Sequence, residues 1–131
     1  MKKFHISASI FDPQAAQEYY SQVEQHGHCI PYKWVGKIGT KPFAKDPKKV
    51  LVSHLKKEIQ NVRECDVFVL ISDYSIQMRG AHAEFGIAIE RFLSTGSPKI
   101  FVYAKDKKWS AFTHLSYVTN ITSFTDIFAD I

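Results

Sequence analysis

The run DVFVLI, residues 66–71, is the clearest indication of the fold, because five apolar residues follow one another there without polar alternation. Such a run is typical of a strand that is covered on both faces, as the strands of a parallel sheet are. The run IFVY, residues 100–103, repeats the pattern further along the chain. Segments with helical spacing of apolar residues lie around these runs, and strands that alternate with helices predict right-handed crossovers and a parallel sheet.

On either side of residues 66–71, the chain predicts an α/β protein with a parallel five-stranded sheet in a single domain, residues 1–131. The strands are expected at residues 4–8, 28–34, 66–71, 100–103 and 117–121. The helices are expected at residues 13–26, 47–64, 81–94, 109–114 and 123–131. Pro31 cannot donate a ladder hydrogen bond, so its strand is expected at the edge of the sheet. A mobile loop is expected at residues 35–46, which hold two glycines and a proline among lysines.

The composition is typical of a globular protein in a reducing compartment. Of the 131 residues, 45% are hydrophobic and 23% are charged, which excludes disordered and fibrous classes. The net charge is +4, but only three arginines accompany the lysines, so we expect a solvated lysine surface and no nucleic acid polymer as partner. The two cysteines predict free thiols. Without a signal-like or membrane-length apolar run, we expect a cytoplasmic protein with no membrane contact.

The loops at the carboxyl ends of the predicted strands are where a parallel sheet binds its ligands. These loops contain no G-x-G-x-x-G, no G-x-x-x-x-G-K-S/T and no G-x-S-x-G, which disfavours dinucleotide folds, phosphate-cradling loops and α/β-hydrolases. Residues 7–9 lack the acids of a phospho-acceptor receiver domain. Neither His5 nor His82 has a histidine or an acid at the i, i+4 spacing of a metal site, so we expect no metal and no cofactor.

Glu84 lies in the first turn of the helix predicted from residue 81. The helix dipole favours a negative charge there, so we expect this carboxylate to be ionised even where apolar neighbours remove water from it. A partly desolvated carboxylate is a competent nucleophile. The small residues Gly80, Ala81, Ala83 and Gly86 leave room for a substrate. The alternative is an ordinary first-turn glutamate that stabilises the helix.

Glu58 and Asp73 are two further candidates for acid–base chemistry. Glu58 comes three residues after Leu55 and four before Val62 on a helix face that is expected to pack inward. A buried carboxyl group is costly unless it has a partner or a function. Asp73 comes just after the strand at residues 66–71. The alternatives are a water-reaching edge position for Glu58 and a loop-capping role for Asp73.

Three segments resemble the nucleoside 2-deoxyribosyltransferase family, including its nucleotide N-glycosidase relatives. FHISASIF, residues 4–11, is similar to the first strand and small-residue loop of that family. Residues 58–70 are similar to its acid, the helix end that follows and the next strand. GAHAEFGIA, residues 80–88, resembles the G-x-x-x-E-x-G-x-A helix that bears the nucleophile of the family. The resemblance implies a flavodoxin-like three-layer sandwich.

By position, the resemblance implies that Glu84 is the nucleophile and that Glu58 is an active-site acid, which is usually an aspartate in the family. His5 falls where some members have a tyrosine near the nucleophile. Ser110, or Asn120 further on, falls in the region that a neighbouring subunit lends to the site. The resemblance therefore also implies a homo-oligomer.

The substrate that the resemblance implies is a nucleoside or nucleoside monophosphate. Its expected binding residues are His5, Ser7, Ser9, Phe11, Arg79, Gly80, His82 and Ser110. Family transferases tend to carry Asp or Ser six residues before the nucleophile, to bind the sugar or its phosphate, whereas this chain has Met78. Arg79 beside it offers a phosphate another partner, and the ring of Phe11 can stack on a base.

The implied reaction is cleavage or transfer at the N-glycosidic bond of a (deoxy)nucleoside or nucleoside monophosphate. Glu84 would trap the sugar covalently, and a protonated Glu58 or Asp73 would donate a proton to the departing base. Attack by a second base would make the protein a transferase, and attack by water a hydrolase. Two other hypotheses stay open: a Toll/interleukin-1-receptor-like domain that consumes NAD, and a non-catalytic nucleotide-binding or interaction module of the same fold.

Overall fold

A computed structural model describes residues 1–35, 48–104 and 108–131. It confirms an α/β protein with a parallel sheet, whose four strands lie side by side in chain order. The elements are β1 (Phe4–Ser7), α1 (Pro13–Gln25), α2 (Lys48–Glu64), β2 (Val67–Ser72), α3 (Arg79–Thr95), β3 (Lys99–Ala104), a 3-10 helix (Ala111–His114), β4 (Val118–Ile121) and α4 (Asp126–Asp130).

Strand β2, which contains five of the six residues of the run 66–71, lies in the interior of the sheet. All six of its residues are buried, and it pairs with β1 on one side and β3 on the other. Phe68 lies opposite His5 in β1 and opposite Ile100 in β3. Continuous apolarity is therefore explained by burial on both faces, as predicted.

The sheet has one layer of helices on each face. Phe4 and Ile6 of β1 point to the side covered by α1 and α4, where the core includes Tyr19 and Ile127. Phe68 and its neighbours on the opposite face pack against α2 and α3. This three-layer arrangement is consistent with a flavodoxin-like layout. Among the described helices, none is long and apolar enough to cross a membrane.

The prediction of a fifth strand at residues 28–34 is wrong. One bridge, between Cys29 and Lys3, joins this segment to the strand edge beside β1. Beyond Cys29 the segment leaves the ladder, since Pro31 has no N–H with which to continue it. Trp34 instead contacts β1 through its side chain, whose Nε1–H donates to the carbonyl of Ile6 at 2.9 Å. An indole thus occupies a carbonyl that an additional strand would have bonded.

Other predicted boundaries shift by a few residues. Helix α3 begins at Arg79 instead of residue 81, and the final helix shortens to Asp126–Asp130. The short helix predicted at residues 109–114 is a 3-10 turn, Ala111–His114. The predicted loop at residues 35–46 lies, apart from Val35, outside the described residues. Both cysteines are free, and burial raises the pKa of the Cys65 thiol to about 12.

Gly96, which directly follows α3, and Gly86, within the helix, give a matched test of how α3 ends. Gly96 ends the helix at φ +80°, a left-handed conformation that costs an alanine about 1 kcal/mol, whereas Gly86 lies within the helix. Neither position has a heavy atom within 4 Å of an added Cβ. We expect Gly96→Ala to lower the free energy of unfolding by about 1 kcal/mol and Gly86→Ala to raise it by about 0.5–1 kcal/mol, because alanine favours a helix interior. Urea denaturation measures both. Equal effects of the two substitutions would contradict this account of the cap.

Candidate active site

A cavity of about 590 Å³ opens at the carboxyl ends of β1 and β2. From β1 the chain runs to the Cys29 bridge on the outer edge of the sheet, and from β2 it runs the other way to β3. Ligands of open parallel sheets bind where the chain direction diverges in this manner. The polar side chains that line the cavity are Ser9, Glu58, Gln77, Arg79 and Glu84.

Because α3 begins at Arg79, Glu84 lies in its second turn, and the prediction of a first-turn position next to the helix N-terminus is wrong. The Glu84 side chain projects towards β1 and lines this cavity. Its Oε1 lies 2.6 Å from Nε2 of His5, whose side chain is fully buried, while the Glu84 side chain is 14% exposed. The His5 ring stacks on Phe68 at 5.8 Å between centroids. The carboxylate is therefore tied to the sheet by one oxygen and still reaches the cavity.

Glu58 approaches the same cavity from α2 and is only 7% exposed. Burial, and after it the nearby negative charge of Glu84, raises the pKa of Glu58 to about 8. At neutral pH the Glu58 carboxyl is therefore mainly protonated. The cavity thus holds two carboxyl groups, of which Glu58 can donate a proton.

The inward face of α2 differs from its predicted composition. Leu51, Leu55, Ile59 and Val62 recur at helical spacing, which predicts that all four pack inward. Leu51 and Val62 are buried, but Leu55 and Ile59 are 39% and 43% exposed and line the cavity instead of filling the core. Glu58 and Asn61, one helical turn apart, are both buried. The helix therefore presents Glu58 together with apolar side chains to the cavity, and presents Asn61 to His5 in the sheet.

The loop after β1 forms another wall of the cavity. The hydroxyl of Ser9 donates to the carbonyl of Gln77 at 2.6 Å and accepts the N–H of Phe11 at 3.2 Å, which joins this loop to the one after β2. Phe11, which is 56% exposed, lines the cavity. Arg79 and Gly80 at the start of α3 line it too.

Five of the residues expected at the site do not line the cavity, and one of them, His5, lies behind Glu84 as its hydrogen-bond partner. Asp73 accepts hydrogen bonds from the backbone N–H and the hydroxyl of Ser75, at 2.9 and 2.6 Å, which is the loop-capping role. His82 is exposed on α3, and Ser110 precedes the 3-10 helix, where its carbonyl accepts from Thr113. Ser7 is buried, and its Oγ has no hydrogen-bond partner among the described residues.

Asn61 is the functional candidate that sequence reasoning missed. Its Nδ2 lies 2.7 Å from Nδ1 of His5, on the opposite side of the ring from Glu84. Its position one turn after Glu58 and next to Val62 was the available signal, because a polar residue there falls on the buried face. Asn61 and Glu84 together bond both nitrogens of His5.

Within residues 1–35, 48–104 and 108–131, no group of three or more His, Cys, Asp or Glu side chains is placed to hold a metal ion.

No protein-family model matches the chain, nor does any curated protein or solved structure. The residues of the cavity are therefore the basis on which a function is inferred.

The raised pKa of Glu58 predicts a pH-dependent stability. Between pH 4.5 and about 8 the unfolded chain releases this proton while the folded protein keeps it, so stability falls as the pH rises through that window. Glu58→Gln removes this dependence. We expect the variant to gain on the order of 3 kcal/mol relative to wild type between pH 5 and pH 8, since one pKa unit corresponds to about 1.4 kcal/mol and most of the shift falls within this range.

Urea denaturation at the two pH values measures this gain. Glu64→Gln, at an exposed position of the same helix, is the control for replacing a carboxylate by an amide. A Glu58→Gln stability difference that is the same at pH 5 and pH 8 would contradict the protonated state of Glu58.

Proposed function

We propose that the protein cleaves or transfers the N-glycosidic bond of a (deoxy)nucleoside or nucleoside monophosphate, with Glu84 as the nucleophile. One observation carries the proposal: in one cavity, a glutamate held by His5 faces a second carboxyl group, Glu58, that keeps its proton at neutral pH. A nucleophile and an acid in different protonation states are what retaining cleavage of a glycosidic bond requires.

The reaction proceeds in two balanced steps. Glu84 forms a bond to the anomeric carbon as the bond to the base breaks, and the proton of Glu58 passes to the leaving base. In the second step the ionised Glu58 removes a proton from water or from a second base, which attacks the same carbon and frees Glu84. Water gives a hydrolase, and a second base gives a transferase.

The walls of the cavity suit a flat heterocycle. The apolar side chains of Trp34, Leu55 and Ile59 line it, and the Phe11 ring is exposed at the same cavity. Aromatic faces stack on such rings. Arg79, the first residue of α3, supplies a positive charge suited to a phosphate of a nucleotide.

Met78 occupies the position at which the resembled transferases bind the sugar or its phosphate. Its side chain is buried, and its sulfur accepts the backbone N–H of Asp73 at 3.1 Å. It offers the sugar neither a hydroxyl nor a carboxylate. Gln77 and Arg79 are then the polar side chains of this part of the cavity that remain for the substrate.

The substrate class is tested by incubating the protein with deoxynucleosides, deoxynucleoside monophosphates and NAD, each with and without an acceptor base. Release of free base from the nucleosides or monophosphates supports the proposal, and exchange with the acceptor identifies a transferase. Release of nicotinamide from NAD alone would favour the Toll/interleukin-1-receptor-like reading. Binding without release of any base would favour a non-catalytic module.

The nucleophile is tested by Glu84→Gln. We expect turnover to fall by about a thousandfold or more, because an amide cannot form the covalent intermediate. Liquid chromatography of the released base measures the rate, and circular dichroism checks the fold. Glu90→Gln, at an exposed position of the same helix, is the matched control and should keep turnover. Near-normal turnover of Glu84→Gln would refute the assignment.

We further propose a homo-oligomer in which the surface formed by residues 109–117, called the 109–117 patch, contacts another subunit. Phe112 in this patch is 64% exposed, and Ser110 lies outside the cavity of its own chain. Ser110 would then reach the Glu84 cavity of a neighbour.

Light scattering of the active protein at micromolar concentration measures the assembly, and a dimer or higher even oligomer is expected. Mixing inactive Glu84→Ala chains with Ser110→Ala chains should then restore activity through hybrid sites. A monomeric mass at full activity would exclude the oligomer, and an oligomer without restoration would exclude the shared site.

A further inference from the structure

The buried ring of His5 in β1 connects α2 and α3, which cover the same face of the sheet. On one side Asn61 of α2 places Nδ2 2.7 Å from Nδ1, and on the other side Glu84 of α3 places Oε1 2.6 Å from Nε2. His5 has no exposed surface, and its ring stacks on Phe68 of β2. Water therefore does not satisfy either ring nitrogen from outside.

The hydrogen-bond partners determine where the ring proton lies. An amide nitrogen can only donate, so Nδ1 of His5 accepts from Asn61. The ring then carries its proton on Nε2, and this N–H donates to Oε1 of Glu84. A carboxylate at position 61 would accept instead, and would favour a proton on Nδ1 in addition to the one that Nε2 donates to Glu84.

We propose that Asn61 is a positioning residue, which holds His5 as the Nε2–H tautomer so that Oε1 of Glu84 is fixed and its other oxygen is left for attack. The inference rests on the proposed function for its kinetic consequence, but the location of the ring proton does not depend on any activity. A fixed carboxylate is held in reacting geometry, and a small misplacement of a reacting group costs about a hundredfold in rate.

Burial gives independent support for a role of this amide. Asn61 is 7% exposed on a helix face whose neighbour Val62 is fully buried. Burying an amide without a partner is unfavourable, whereas an apolar side chain at the same place would add to the core. Its partner here is the one histidine that also bonds Glu84.

The first test locates the ring proton by nitrogen-15 NMR of protein labelled at the histidine ring nitrogens, at pH 7. In the wild type we expect His5 to be protonated at Nε2 and unprotonated at Nδ1. In Asn61→Asp we expect a proton at Nδ1. Gln60→Glu makes the same change of amide to carboxylate at an exposed position of α2, and should leave the His5 signals unchanged.

The second test is kinetic and uses Asn61→Leu, which removes the donor without adding charge and guards against misfolding of Asn61→Asp. We expect kcat to fall about tenfold to a hundredfold while KM changes less than about threefold, because positioning of Glu84 acts on the chemical step. A merely structural role would lower the amount of folded protein, not kcat per folded molecule.

A proton on Nδ1 of wild-type His5, an unchanged ring in Asn61→Asp, or wild-type kcat in Asn61→Leu would each overturn the inference. If no substrate of the panel is turned over, the proposed function fails, and the ring-proton measurement alone decides whether Asn61 sets the tautomer.

Discussion

A fully buried imidazole in the first strand constrains the arrangement around the sheet. Both nitrogens of His5 need partners, since an unsatisfied polar group in the core costs about 1–3 kcal/mol. Asn61 and Glu84 provide them from different helices, so α2 and α3 must lie side by side over β1 with these two residues directed at the ring. The same requirement brings Glu84 to the mouth of the cavity.

Placing two carboxyl groups in the cavity lowers the stability of the fold but suits the proposed chemistry. A glutamate such as Glu58, which stays protonated near neutral pH, makes the folded protein less stable than an uncharged residue of its shape would. Two ionised carboxylates in one small apolar cavity would repel each other. Glu58 keeps its proton while Glu84 is hydrogen-bonded to His5, which avoids this repulsion. The same arrangement gives the two carboxyl groups different roles, one as acid and one as nucleophile.

Much of the fold could be predicted because its signals are local. The run at residues 66–71 is apolar throughout since β2 is covered on both faces, and Ala81, Phe85 and Ala88 recur at helical spacing since one face of α3 is buried. The edge segment was mispredicted for a tertiary reason. Its residues have strand-like composition, but Trp34 bonds Ile6 through its indole, and no pattern of neighbouring residues reveals that contact.

Three features follow from the order of residues alone: the parallel α/β layout, the position of Glu84 near the start of a helix and the unusual place of Glu58 on an inward helix face. Which of the candidate groups meet depends on contacts between residues that are far apart in the chain. Asn61 is 56 residues from His5, and Glu84 is 79 residues from it, so neither hydrogen bond leaves a periodic trace in the chain. Asp73 could not be separated from the cavity residues either, because a side chain that follows a strand can turn towards its own loop, as it does towards Ser75. Helical and strand periodicity shows which face of an element is buried, whereas a site depends on individual atoms that the fold brings together from distant parts of the chain.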